Sequence, residues 1–297
     1  IEEKNPDFKI ALGNEIYLTD TRDMGQRYYH FILIAKNKEG HRALRELSSR
    51  AWMNSYWDRG LERVPTLKSD LEEILSKYPN SLIGTTACLG GELSVNTLAL
   101  INAEKTGDTN GATTAHNNIV NFLLWCKEVF GEDNFYIECA PGASRDQVLV
   151  NKRFPAIAKA FDLKMVIGSD AHYLKKEDAI IHEKYLNSQD GDREVKAFYE
   201  TTYMMGTEEL ESFFPYLTRP YLDEAYENIN HIASMCEDFS IKRPLRIPCL
   251  PWKSYNVRNT IEVEKYVSYM PALENFVKSP YKEDNELVFA VIDGIMN

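Results

Sequence analysis

The residues best suited to chemistry stand together in Ser169-Asp170-Ala171-His172-Tyr173. They follow an apolar run, Leu163 to Ile167, that reads as a buried strand. In a parallel α/β protein the carboxyl ends of strands are where ligand and catalytic groups gather. A carboxylate and an imidazole two positions apart at such an end offer two metal ligands from one turn. Groups of the same kinds stand in or beside other strand-like runs. Glu15 follows Gly13-Asn14, His30 lies within YYHFILIA, Cys88 follows the run around residue 83, and Glu138 ends NFYIE. Converging on one mouth, they would hold a divalent metal such as Zn²⁺ or Mn²⁺. One metal would act as Lewis acid and water activator, and a pair would clamp a phosphoryl group.

Each residue also has a plainer reading. A histidine inside a strand, such as His30, is often a satisfied core residue. A lone cysteine such as Cys88 is often a small buried hydrophobe. Glu15 fits a solvated charge at a strand end, and Glu138 a hydrogen-bond anchor beside the site. Asp170 and His172 make the stronger pair, because two ligand types share one turn. His182 sits with Ile181 and Tyr185 on a helix and reads as structural; His41, His116 and His231 lack ligand partners one turn away. GDTNG lacks the alternating carboxylates and distal Glu of a calcium loop. No P-loop, nucleophile-elbow or zincin motif occurs.

The elements that must position these groups alternate. Phe8–Leu12 with Glu15–Thr19, Tyr28–Ala35, Ser81–Thr85, Asn134–Cys139 and Leu163–Ile167 read as strands. His41–Met53, Thr66–Tyr78, Leu93–Lys105, Ala115–Phe130, Asp146–Phe161, Glu177–Asn187 and Thr218–Cys236 read as helices. Asn37 to Gly40 reads as a turn and Thr106 to Thr114 as a polar loop. Strand–helix alternation predicts an α/β fold with a largely parallel sheet or barrel. Pro244, Pro248 and Pro251 punctuate a linker, and Glu262 to Asn297 reads as mostly helical.

A chain of 297 residues can hold one large domain or two ordinary ones. Lys and Arg total 34 against 45 Asp and Glu, a net charge of −11. That argues against a broad DNA-binding surface on this segment and is compatible with a protein partner. No apolar run approaches a membrane span, and the charged start IEEKNPDFKI is no signal peptide. Five cysteines at wide spacing, with no C-x-x-C, predict a reduced, cytoplasmic setting.

The pieces GNEIYLTD, YYHFILIAKNKEG, ACLGGEL, NFYIE and SDAHYLKKEDAIIH occur in one order. Together they resemble the polymerase-and-histidinol-phosphatase (PHP) domain at the amino end of the bacterial DNA polymerase III alpha subunit, from about residue 8 to 250. Any one piece is weak; five in order are fairly specific. ACLGGE and DAHYL lean toward the replicative polymerase. The resemblance implies a distorted barrel of about seven strands with up to three metals, Zn or Mn, at its mouth. Matched residue by residue, the ligands would be Glu15, His30, Cys88, Asp170 and His172, with Glu138 at a recurrent acidic position near the site.

The family opens with a His-x-His or His-x-Asp motif, yet no histidine precedes Glu15. The expectation is therefore a PHP domain over residues 1–240, incomplete at its start, followed over residues 241–297 by a linker and the beginning of a polymerase region. The palm with its Mg²⁺-binding aspartates would lie beyond Asn297. In this reading the parent protein synthesises DNA, meets DNA and deoxynucleotides, and has a sliding clamp and an exonuclease subunit as candidate partners. The PHP site would be a metal-dependent phosphoesterase, for proofreading or for pyrophosphate removal. Two alternatives are a stand-alone PHP phosphoesterase acting on a small phosphate ester, and a metal-free platform that binds a partner or braces the polymerase.

Overall fold

A computed structural model describes residues 8–23, 25–58, 60–187 and 199–242. The expected linker and the helical stretch from Glu262 lie outside them. All of these residues but Lys242 belong to the compact unit Ile1–Ile241.

Two strands open the fold as an antiparallel pair, β1 (Gly13–Thr19) and β2 (Tyr29–Ala35). Next come α1 (Lys38–Met53), β3 (Tyr56–Asp58), β4 (Leu61–Arg63), β5 (Pro65–Leu67), α2 (Lys68–Lys77) and β6 (Leu82–Thr85). Then follow α3 (Glu92–Thr106), α4 (Thr109–Phe130), β7 (Phe135–Cys139), α5 (Arg145–Phe161) and β8 (Lys164–Ile167). A short 3₁₀ turn at 176–178 leads into α6 (Ala179–Asn187), and α7 (Thr207–Ser212) and α8 (Arg219–Met235) complete the described part.

Six strands form one sheet in the order β5-β1-β2-β6-β7-β8. β1 with β5, β6 with β7, and β7 with β8 run parallel; β2 is antiparallel to both its neighbours. The α/β class and the parallel-rich sheet agree with the sequence reading. β3 and β4 form a separate hairpin.

The sheet has two differently used faces because side chains alternate along each strand. Ile16, Leu18, Phe31 and Leu33 enter the main core with residues of α1, α2, α4 and α5. There Phe31 stacks on Phe130 and Phe135 at ring-centroid separations of 5.7 and 6.0 Å. On the opposite face Ile83, Tyr136 and Val166 are covered by Ile232 of α8. The register puts Glu15, Tyr17 and His30 on that second face, beyond the cover of α8.

Phe8–Leu12, expected as a strand, forms none, and β1 begins only at Gly13. Three further boundaries differ from the sequence reading. Asn37 is the N-cap of α1, not part of a turn; its side chain accepts from the N–H groups of Glu39 and Gly40. Thr106–Thr114 is not a loop. α3 ends at Gly107 in the left-handed conformation, and α4 begins at once, capped by Asp108 accepting from Gly111 N–H at 2.9 Å. The polar residues of that stretch are cap and first-turn residues. Pro65–Leu67 extends as an edge strand beside β1 before α2 starts at Lys68.

Candidate metal centre

His30 is the hub. Its Nδ1 lies 2.6 Å from Glu15 Oε1 and 3.4 Å from Cys88 Sγ. The three donor atoms lie within 4.8 Å of one another. Glu15 stands diagonally across the β1–β2 pair from His30, since Glu15 faces Ile32 and His30 faces Tyr17. Cys88 arrives from the turn after β6. That turn carries Ala87 at φ +56°, a left-handed conformation costly for a residue with a Cβ. Gly90 and Gly91 then run past His30, whose N–H donates to Gly90 O at 3.0 Å. A Cβ at Gly90 would meet the imidazole at 2.9 Å, so the GG of ACLGGE seats the ring.

Electrostatics follow the geometry. The hydrogen bond to Cys88, then that to Glu15, pushes His30 up to about 10. The hydrogen bond to His30 holds the Glu15 carboxyl below its ordinary value.

Asp170 and His172 do not join this cluster, but they face it. Asp170 sits at φ +46°, three residues past the end of β8. Burial raises its pKa, opposed by His172 and assisted by the negative charge of Glu15. His172 Nδ1 donates to Asp170 O at 2.7 Å, which fixes the tautomer and leaves Nε2 as the free donor atom. The backbone of this turn is anchored by His172 N–H donating to Thr202 O at 2.7 Å. A narrow cavity touches the site at Cys88 and Asp170 and extends away from it along Ala140, Pro141, Gln147 and Thr202, with about 10 Å³ of room, enough for about one water.

Glu138 lies under the site. It is fully buried, its Oε2 accepts from Thr85 Oγ1, and its N–H donates to Thr86 Oγ1 at 2.9 Å. Desolvation, with added repulsion from Asp170 and Glu15, raises its pKa to about 7. Gly168 leaves the space its carboxyl needs, because a Cβ there would collide with Glu138 Oε1. Sequence reasoning missed the nearness of His182: its ring stands 5.4 Å from that of His172 and 4.9 Å from Tyr199. Nine residues of loop and helix lie between the two histidines, and no spacing rule brings them together.

The donor set can be tested against a metal. Zinc bonds of about 2.0–2.3 Å in tetrahedral geometry put neighbouring ligand atoms about 3.5 Å apart. The 3.4 Å between Cys88 Sγ and His30 Nδ1 meets that requirement. The 2.6 Å between Glu15 and His30 is a hydrogen bond and must open by about 1 Å to admit an ion. One carboxylate, one imidazole and one thiol are the ligand types borderline divalent ions take, so the residues fit.

Residues 1–141 match the model of the PHP domain. Over 97% of its length the chain is 38% identical to the "DNA-directed DNA polymerase" of Bacillus phage SPbeta and, equally, to the "Probable DNA polymerase YorL" of Bacillus subtilis (strain 168), covering 22% of each. It is 31% identical over 82% of its length to the DNA polymerase III subunit alpha of Borreliella burgdorferi, covering 20% of that protein. The chain thus spans about a fifth of the length of these relatives. Among the described residues no helix is long and apolar enough to cross a membrane. The chain contains a PHP domain, and its relatives are DNA polymerases, DNA polymerase III alpha subunits among them.

Proposed function

We propose that this chain is the amino-terminal part of a DNA-directed DNA polymerase of the polymerase III alpha type, and that its PHP domain is a metal-dependent phosphoesterase. The observation that carries the second half is the convergence of Glu15, His30 and Cys88. Glu15, His30 and Cys88 would hold one ion, Zn or Mn, with Asp170 and His172 as further ligands to it or to a second ion. Bound there, a divalent ion supplies a Lewis acid and a water acidic enough to act as nucleophile near neutral pH.

The chain's own groups do the rest. His30 Nδ1, which now hydrogen-bonds Glu15, would have to be deprotonated to serve as a ligand, and Glu15 would then be free to serve as another. His172 presents Nε2 because Nδ1 is tied to the backbone. Glu138 Oε2 accepts from the Thr85 hydroxyl, which fixes the buried carboxyl beneath the site. The closure of the sheet into a seven-stranded barrel, a domain boundary near residue 240, a Mg²⁺-dependent palm beyond Asn297, replisome partners and a cytoplasmic setting belong to this same reading.

One observation favours a second reading. The short Glu15–His30 ion pair satisfies both groups without a metal, which suits a domain kept as a platform for a partner. Hydrolysis of bis(p-nitrophenyl) phosphate by the full chain, with Mn²⁺ or Zn²⁺ added, separates the two. We expect metal-dependent turnover that His30→Gln reduces by at least about a hundredfold. Turnover equal in wild type and variant, or absent from both, favours the platform. Primer extension by the full-length gene product tests the polymerase half.

A further inference from the structure

The face of the sheet that carries the triad continues outward from it as a row of rings ending in a cation. The ring of Tyr17 lies edge-on to His30 at 5.3 Å, and Tyr17 packs against Tyr28, also at 5.3 Å. The guanidinium of Arg63 lies over Tyr28, 5.7 Å from its centroid. The strand register accounts for the row. Tyr17 stands opposite His30 on one side and Pro65 on the other, so the chain entering β5 brings Arg63 to this edge. Across the hairpin Arg63 faces Tyr56.

Arg22, Arg50, Arg153 and Arg219 each pair with a carboxylate. Among the described residues Arg27 and Arg42, like Arg63, lie over tyrosine rings without an ion pair, but of these three Arg63 is the one whose Nε is buried without a hydrogen-bond partner. A guanidinium set over an aromatic ring and left without an anion is matched to a phosphate. Aromatic rings in a row, with Tyr17 44% exposed, are matched to unstacked bases. On a chain of net charge −11, this strip is suited to one strand at close range and not to a duplex held by a broad field.

We propose that Tyr17, Tyr28 and Arg63 form a binding track for single-stranded nucleic acid that leads toward the Glu15–His30–Cys88 triad. The track rests on the phosphoesterase reading only for what happens at its inner end. The strand's phosphate pairs with Arg63, and its bases stack on the tyrosine rings.

Anisotropy of a fluorescein-labelled oligo(dT) with the full chain, measured in EDTA, reads the track without metal and without cleavage. Tyr28→Leu is expected to weaken binding between about fivefold and a hundredfold. Tyr28→Phe, which keeps the ring, is expected to bind as wild type does. Arg63→Gln is expected to weaken binding and to flatten the dependence of log K on log salt by about 0.7. Unmeasurable binding by wild type, equal binding by Tyr28→Leu and Arg63→Gln, or tighter binding of a duplex of the same length would overturn the track. Wild-type hydrolysis of bis(p-nitrophenyl) phosphate on the same preparation keeps the two ideas apart. Hydrolysis without oligonucleotide binding removes the track and leaves the hydrolase; binding that shows the expected variant effects without hydrolysis supports the track and removes the hydrolase.

Discussion

Glu138 holds a full carboxyl in a dry place, and that has a consequence for stability. Its pKa rises from 4.5 to about 7 on folding, chiefly by desolvation. The folded state therefore binds the proton more tightly than the unfolded one. That contribution is complete below about pH 4.5 and is lost as pH climbs through about 7. Glu138→Gln keeps an acceptor for Thr85 and does not titrate. In metal-free protein its stability relative to wild type is expected to rise by up to about 3 kcal/mol between pH 4.5 and 8, read by urea unfolding. A flat difference across that range would mean that the carboxyl is solvated. At this scale the sequence was legible where a polar group interrupted an apolar run, as Glu15, His30, Cys88 and Glu138 do. What could not be read was relation across the fold. Nothing in the spacing says that Cys88 would reach His30 while Asp170 would not, or that His182 would stand beside His172.

The elements are held by local devices that can be tested singly. Asp108 caps α4 through Gly111 N–H, so Asp108→Ala is expected to cost about 1 kcal/mol in urea unfolding and to leave the site intact. Gly90→Ala places a methyl group against the His30 ring. It is expected to destabilise the fold by about 1–3 kcal/mol and to weaken metal affinity, read by unfolding and by equilibrium dialysis. Retention of full affinity would mean that the ring has room to turn. Long periodic helices and apolar strands were legible because each buries one continuous face. The stretch Thr106–Thr114 was not, because its Thr, Asn and Gly residues have loop composition yet serve as a C-cap, an N-cap and a first turn. The hairpin of β3 and β4 was missed for a different reason. Three-residue strands are too short to establish a period.

For the whole domain the two faces of the sheet divide the work. One packs the main core, while the other is covered by α8 in part and left open where the donors stand. A ligand that binds only the folded state stabilises it by mass action, about 2.7 kcal/mol at a hundredfold excess over Kd. Saturating Zn²⁺ or Mn²⁺ is therefore expected to raise the Tm of wild type by several degrees and that of His30→Gln by much less, in calorimetry of the full chain. The α/β class and the alternation of elements were legible in the sequence. The antiparallel placement of β2 was not, because a buried strand has the same pattern in either direction.

The central claim is a metal centre that includes Cys88. Cobalt(II) is the direct probe, since a thiolate ligand gives it an intense near-ultraviolet charge-transfer band. The other described cysteines, Cys126, Cys139 and Cys236, are buried outside the triad. Titration of the full chain with Co²⁺ should produce that band, and Cys88→Ser should abolish it. Absence of the band in wild type, or its persistence in Cys88→Ser, would contradict the account.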